Sequence, residues 1–292
     1  MDRITTASAA RGTVSLVAGI TTDLVREVRE RHDLAPTASA AVGRLLTAAA
    51  LLGSSLKGRE RLTLQVVGDG PIGAVTADAW NAGLHRVGAR AYARNGKADL
   101  PLNANGKFDV AGVVGRGQLQ VTRTYEVGQP YSGIVPLASG EIGDDVAAYL
   151  ANSEQIPSIV AVGVLADPSG IRAAGGVVVQ VMPGADDATI AALERAIAAM
   201  PPVTTQIVQG ADDEALLRTV AAGLDLKVFG TTEVVFDCRC TREKVETALL
   251  GLGKDELAKI AREAPETEAK CDFCGRRYVL SAEDVRALSA RI

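Results

Sequence analysis

Apolar and polar positions along the first 184 residues switch period repeatedly, and the switches mark elements. Residues 13–20 read as a strand. A helix follows, capped near Thr22, with Leu24, Val25 and Val28 on one face. A longer Ala/Leu-rich helix is predicted over 38–57. Alternating stretches separated by glycine turns then predict strands at 62–67, 74–78, 84–91, 118–125 and 134–137. A helix at 144–152 precedes two further strands, 159–165 and 177–182. Runs of strands with a few helices predict an α+β domain over 1–184, built on a largely antiparallel sheet.

After Pro183 and Gly184 the pattern becomes helical. Asp186 and Asp187 open a helix with Ile190, Leu193, Ile197 and Met200 on one face, and Pro201 and Pro202 stop it. A second helix, opened by Asp212, Asp213 and Glu214, carries Leu216, Leu217, Val220 and Leu224. We assign 185–237 as a helical linker whose apolar stripes must be buried. Two readings stand: ordinary packing on the first domain, or a lid that detaches.

Residues 238–292 form a third, smaller segment. Thr241 can cap a helix through Val245, Ala248, Leu249 and Leu252, which Gly251 and Gly253 end. A short helix at 255–262 is broken by Pro265. Tyr278, Val279 and Leu280 read as a strand, and Ser281 with Asp284 starts a final helix in the manner of a capping box. So few apolar side chains in about 60 residues hold a fold poorly without a staple.

Composition excludes more than it selects. At 47% hydrophobic, the 292-residue chain can bury a core, so wholesale disorder is excluded. A net charge of -4 and only four Phe, five Tyr and one Trp argue against a dedicated nucleic-acid binder. Neither a secretory leader nor a membrane-spanning apolar run is visible, and a cytoplasmic protein is expected. Gly68 to Gly73 fit GxGxxG, yet 74–78 continue as a strand rather than a phosphate-binding helix, so a hairpin turn is expected. Asp144 and Asp145 suit the first turn of a helix. His32 and His85 have no evident triad partners. No catalytic constellation emerges, and no enzymatic activity is expected.

The cysteines are the informative feature. All four, Cys238, Cys240, Cys271 and Cys274, lie in the last 55 residues, and the first 237 contain none. A disulfide-stapled secreted protein scatters its cysteines through the fold. A CxC followed about thirty residues later by a CxxC instead suits two ligand pairs for one tetrahedral Zn2+ per chain. Gly275 frees the backbone just after the second pair, although CxC is tighter than the usual ribbon spacing. Two unrelated thiol pairs, or permanent structural disulfides, are the competing readings.

These residues resemble a known family, the redox-regulated 33 kDa heat-shock chaperones. The resemblance rests on Cys238-Arg239-Cys240 and on Cys271-Asp272-Phe273-Cys274-Gly275-Arg276-Arg277-Tyr278. It extends through 61–71, 131–137 and 149–155, and so over essentially the whole chain. Pro136, where an acidic residue is expected, and the scarcity of aromatics are departures. The resemblance implies an ATP-independent holdase, zinc-bound and inactive when reduced. Oxidation would join Cys238 with Cys240 and Cys271 with Cys274, release zinc and unfold the linker. It implies unfolding proteins as clients, a homodimer when oxidised, hand-off to ATP-dependent refolding chaperones, and neither nucleic acid nor membrane as partner. Residues 1–184 would bind substrate, 185–237 regulate, and 238–292 carry the switch.

The alternative is a zinc-ribbon module that binds nucleic acid or associates with ribosomes. From Glu233 to Ile292 there are 11 basic and 12 acidic residues, whereas a phosphate-binding ribbon should be clearly basic. An enzyme with a structural zinc ranks third.

Overall fold

A computed structural model describes residues 1–167, 169–221 and 223–292. The chain divides into two compact units, Met1–Asp237 and Cys238–Ile292.

The first unit opens with β1 (Arg3–Ala9) and β2 (Val14–Ile20), then α1 (Thr22–His32) and α2 (Pro36–Gly53). A meander of β3 (Arg61–Gly68), β4 (Ala74–Gly83) and β5 (Arg86–Ala93) follows. Next come α3 (Val110–Val114), β6 (Gly117–Thr124), β7 (Tyr131–Pro136) and α4 (Gly143–Asn152). Then β8 (Ser158–Asp167) and β9 (Gly170–Val181) lead into α5 (Asp187–Ala199), α6 (Val203–Val208), α7 (Asp213–Ala221) and β10 (Lys227–Phe236). Among the described residues these strands form one ten-stranded sheet in the order β7-β6-β3-β4-β5-β10-β1-β2-β9-β8. Every neighbouring pair is antiparallel except β10 with β5.

Strand alternation sends successive side chains to opposite faces, and each face meets a different set of helices. Val178 joins the cluster formed with α1, α2 and α4, while Val177 and Val179 join the cluster formed with α5, α6 and α7. The amphipathic stripe predicted on α5 buries Leu193; that on α7 buries Leu216, Leu217 and Val220. Their partners on the sheet include Val14, Leu16 and Ala18 of β2. An ion pair fixes the same cover: Arg3 on β1 donates to Asp213 Oδ1 from Nε (3.1 Å) and Nη2 (2.7 Å). The Thr5 hydroxyl donates to the other oxygen of that carboxylate.

On the opposite face α2 is buried along nearly its whole length. Its small residues permit that approach. A Cβ at Gly53 would sit 2.6 Å from the Ala79 methyl, and one at Gly43 would sit 2.7 Å from Val25 and Val164.

The structure differs from the sequence reading at several places. Residues 227–236, expected within a helical linker, form β10 between β5 and β1 and so join the two antiparallel blocks. The edges of β1 and β5 otherwise leave backbone groups unpaired, and the Val- and Thr-rich run of β10 satisfies both. Weak apolar patterning hid β1, and α3 and α6 are too short for periodicity to register. The GxGxxG segment is the β3–β4 turn, closed by the Gly68 amide on the Gly73 carbonyl at 3.0 Å. His32 ends α1, and His85 sits in the β4–β5 turn with φ 54°. Asp145 is fully buried and accepts amides of Ala138, Ser139, Gly140 and Ile142, so it ties down the loop before α4.

The second unit contains α8 (Arg242–Leu250), α9 (Lys254–Glu263), the hairpin β11 (Glu266–Lys270) and β12 (Arg277–Ser281), and α10 (Ala282–Ser289). Thr241 caps α8 by accepting the Lys244 amide. Ser281 and Asp284 form the expected reciprocal box at the start of α10. The core of this unit is small: Leu257, Ala261, Leu280, Val285 and Leu288 are buried, and α8 buries no residue fully.

Candidate metal centre

Backbone geometry places the cysteines. Cys271 and Cys274 occupy the turn between β11 and β12. The Cys271 amide donates to the Arg276 carbonyl at 2.9 Å, and the Gly275 amide returns to the Cys271 carbonyl at 2.8 Å. This tight knuckle needs a left-handed residue after the second cysteine, and Gly275 supplies it at φ 71°. Cys238 and Cys240 lie in the extended segment before α8.

Across these 33 residues of separation the four sulfurs converge, each within 4.8 Å of the others. Cys238 Sγ is 3.8 Å from Cys271 Sγ, and Cys240 Sγ is 3.4 Å from Cys274 Sγ. Four thiolates on a tetrahedral zinc at about 2.3 Å stand about 3.8 Å apart, so the donor set suits such an ion in type, number and spacing. All four residues are half-buried.

Electrostatics points the same way. Burial raises the Cys240 thiol, but hydrogen bonds from Tyr278 and the neighbouring sulfurs outweigh it and bring it down to about 7. Burial, reinforced by the other sulfurs, pushes Cys274 up to about 12, and burial also raises Cys271. Crowded sulfurs thus compete for negative charge, and a bound dication removes the competition by deprotonating all of them. Arg276 stands close by: its hydrogen bond to Tyr278 and the charges of Cys240 and Cys274 hold its guanidinium protonated.

The Tyr278 hydroxyl donates to Cys240 Sγ at 3.1 Å. The sequence places Tyr278 in a strand and at the end of the motif that carries the resemblance, with no role at the sulfurs. Its signal was its register, one residue into the strand that leaves the knuckle, where alternation returns it to the buried face with Leu280.

Comparison with known proteins decides the family. The profile of the family described as Hsp33 protein matches residues 2–281. The chain belongs to the Hsp33 family. The 33 kDa chaperonin of Bacillus subtilis is 42% identical over 290 residues, covering 99% of this chain and 98% of that protein. The 33 kDa chaperonin of Ruminiclostridium cellulolyticum is 39% identical, with 97% and 96% covered. The crystal structure of the 33 kDa chaperonin (heat shock protein 33 homolog) from Thermotoga maritima superposes with a TM-score of 0.89 at 36% identity. It covers 99% of this chain and 98% of that one. This Hsp33-family chain therefore comes from a chaperone family and carries a four-cysteine cluster spaced for a metal ion. Among its described residues no helix is long and apolar enough to cross a membrane.

Proposed function

We propose that this chain is a redox-regulated, ATP-independent holdase, inactive when reduced and opened by oxidation of its four cysteines. The observation that carries the reading is a cluster of four thiols in a unit with only five buried apolar side chains. Cys238, Cys240, Cys271 and Cys274 would hold one Zn2+ per chain, which when bound supplies folding energy to that unit, about 10–16 kcal/mol in small zinc peptides.

Oxidation consumes the donors. A thiolate sulfur attacks a peroxide oxygen, the O–O bond breaks, hydroxide leaves, and a sulfenic acid remains. The neighbouring thiolate then displaces that oxygen as hydroxide, which takes a proton to become water. Each disulfide transfers two electrons to one peroxide. Pairing Cys238 with Cys240 and Cys271 with Cys274 leaves no thiolate set, so residues 238–292 lose their staple.

Residues 185–221 are then the releasable cover, since 227–236 belong to the sheet. Opening them bares Val14, Leu16, Ala18, Val177 and Val179 together with the inner faces of α5 and α7. A contiguous aliphatic surface of this kind suits unfolding client proteins. Dimerisation of the oxidised form, hand-off to ATP-dependent refolding chaperones and a cytoplasmic location complete the proposal.

Aggregation of a heat-unfolding client, followed with reduced and with peroxide-treated protein, tests it. Suppression only after oxidation, accompanied by zinc release, is the expected result. Equal suppression in both states, or a nucleic-acid gel shift in place of suppression, overturns it.

A further inference from the structure

The Cys240 sulfur accepts its hydrogen bond from a side chain, which substitution can remove. By contrast, Cys271 accepts from the backbone amides of Phe273 and Cys274, and Cys274 from that of Arg276. Tyr278 is aimed by its surroundings. It pairs with Ala269 across the hairpin, and Leu280, buried two residues on, anchors the same face of β12. The guanidinium of Arg276 also interacts with the phenol. The phenol is the donor to the sulfur, and a guanidinium, which only donates, does not compete for its proton.

We propose that the Tyr278 hydroxyl, 3.1 Å from Cys240 Sγ, is a positioning residue that restrains oxidation of that cysteine. The inference rests on the redox reading above and names a regulator of the same site. A thiolate lone pair engaged by a donor is a weaker nucleophile, and hydrogen bonds to metal-bound sulfur tune its reactivity. Peroxide attack at Cys240 draws on the electron density of that sulfur, which the donated phenol proton withdraws, so attack is slower while the bond is held. Tyr278 thereby raises the oxidant dose needed to form the Cys238–Cys240 disulfide.

The test uses the full-length, zinc-reconstituted, reduced chain carrying Tyr278→Phe, which keeps the ring and deletes the hydroxyl. Val279→Ala, at a half-exposed site on the other face of β12, is the packing control. Initial peroxide oxidation rates at each cysteine are read by pulse alkylation and mass spectrometry, beside zinc stoichiometry and thermal melting. Loss of one hydrogen bond should speed Cys240 about fivefold, with initial rates at Cys271 and Cys274 unchanged. An unchanged Cys240 rate overturns the proposal. So does equal acceleration of all four cysteines with a lowered melting temperature, which marks a structural role. A parent chain that binds no zinc, or whose thiols do not form disulfides, instead defeats the redox reading on which the inference stands.

Discussion

The two units solve the same stability problem in different ways. In the first, Trp80, Tyr149, Leu45, Leu46, Leu62, Leu64 and many others are sealed between a ten-stranded sheet and its helices. Buried apolar area, at about 25 cal/mol per Å2, is the support there, and 1–237 hold no cysteine that could cross-link it. In the second, Leu257, Ala261, Leu280, Val285 and Leu288 are the buried core, and four thiols meet where a further hydrophobic layer would otherwise be needed. A unit held by burial and free of cysteine offers oxidants no thiol to attack. One held by thiolates, as proposed for the smaller unit, would offer them targets, and that difference would suit it to sensing.

The sharpest way to break the comparison is to remove the donors. Cys271→Ser with Cys274→Ser should unfold 238–292 at a cost on the order of 10 kcal/mol and leave the sheet unit intact. Peptide-resolved hydrogen exchange reads this directly. Retained protection in 238–292 would show that the small core stands alone, and zinc still bound would overturn the four-cysteine assignment.

Next in size is the cover. Leu193 is 1% exposed, so Leu193→Asp places a carboxylate in the apolar layer at a cost of about 3 kcal/mol. Holdase activity in reducing buffer should rise without oxidant. Variants that stay inactive, or only aggregate, would show that α5 to α7 are ordinary core.

Acid should separate the units by sign. Asp2 accepts the amides of Asp23 and Leu24 at the start of α1, yet burial dominates and raises its carboxyl to about 6. The folded value lies above an unfolded value of about 3.9, so the stabilising contribution is complete below about pH 4 and is lost as pH rises through 6. Between pH 7 and 4 the sheet unit should gain about 2 kcal/mol relative to Asp2→Asn, measured by denaturant unfolding. Over the same range 238–292 should weaken, because thiolates that hold a metal are protonated. A parallel response in both units contradicts this.

The smallest effect is kinetic. The Cys271–Cys274 disulfide should precede Cys238–Cys240, since the two-residue spacing before Gly275 closes a ring with less strain than CxC. Alkylation time courses read the order, and the opposite order would refute it.

Much of this was legible because its causes are local. Alternation marked β3, β6 and β9, and the 3.6-residue stripe on α5 named Leu193. Cap chemistry marked the starts of α8 and α10 at Thr241 and Ser281. The thiol spacing named all four cluster residues before any coordinate placed them. Strand β1, with threonines and alanines, carried too little apolar signal. Strand β11, whose sequence is Glu-Thr-Glu-Ala-Lys, reads as polar loop and becomes a strand only by pairing with β12.

The chain by itself determined the α+β class, the helical cover, and a terminal module whose four cysteines share one chemistry. Those follow from periodicity, capping and spacing, each set by residues a few positions apart. Tertiary structure alone decided that β10 joins β5 to β1, that Asp213 locks onto Arg3 and Thr5, and that Tyr278 reaches Cys240. Each of these joins groups 38 or more residues apart, brought together only when sheet edges and buried polar groups find partners on folding.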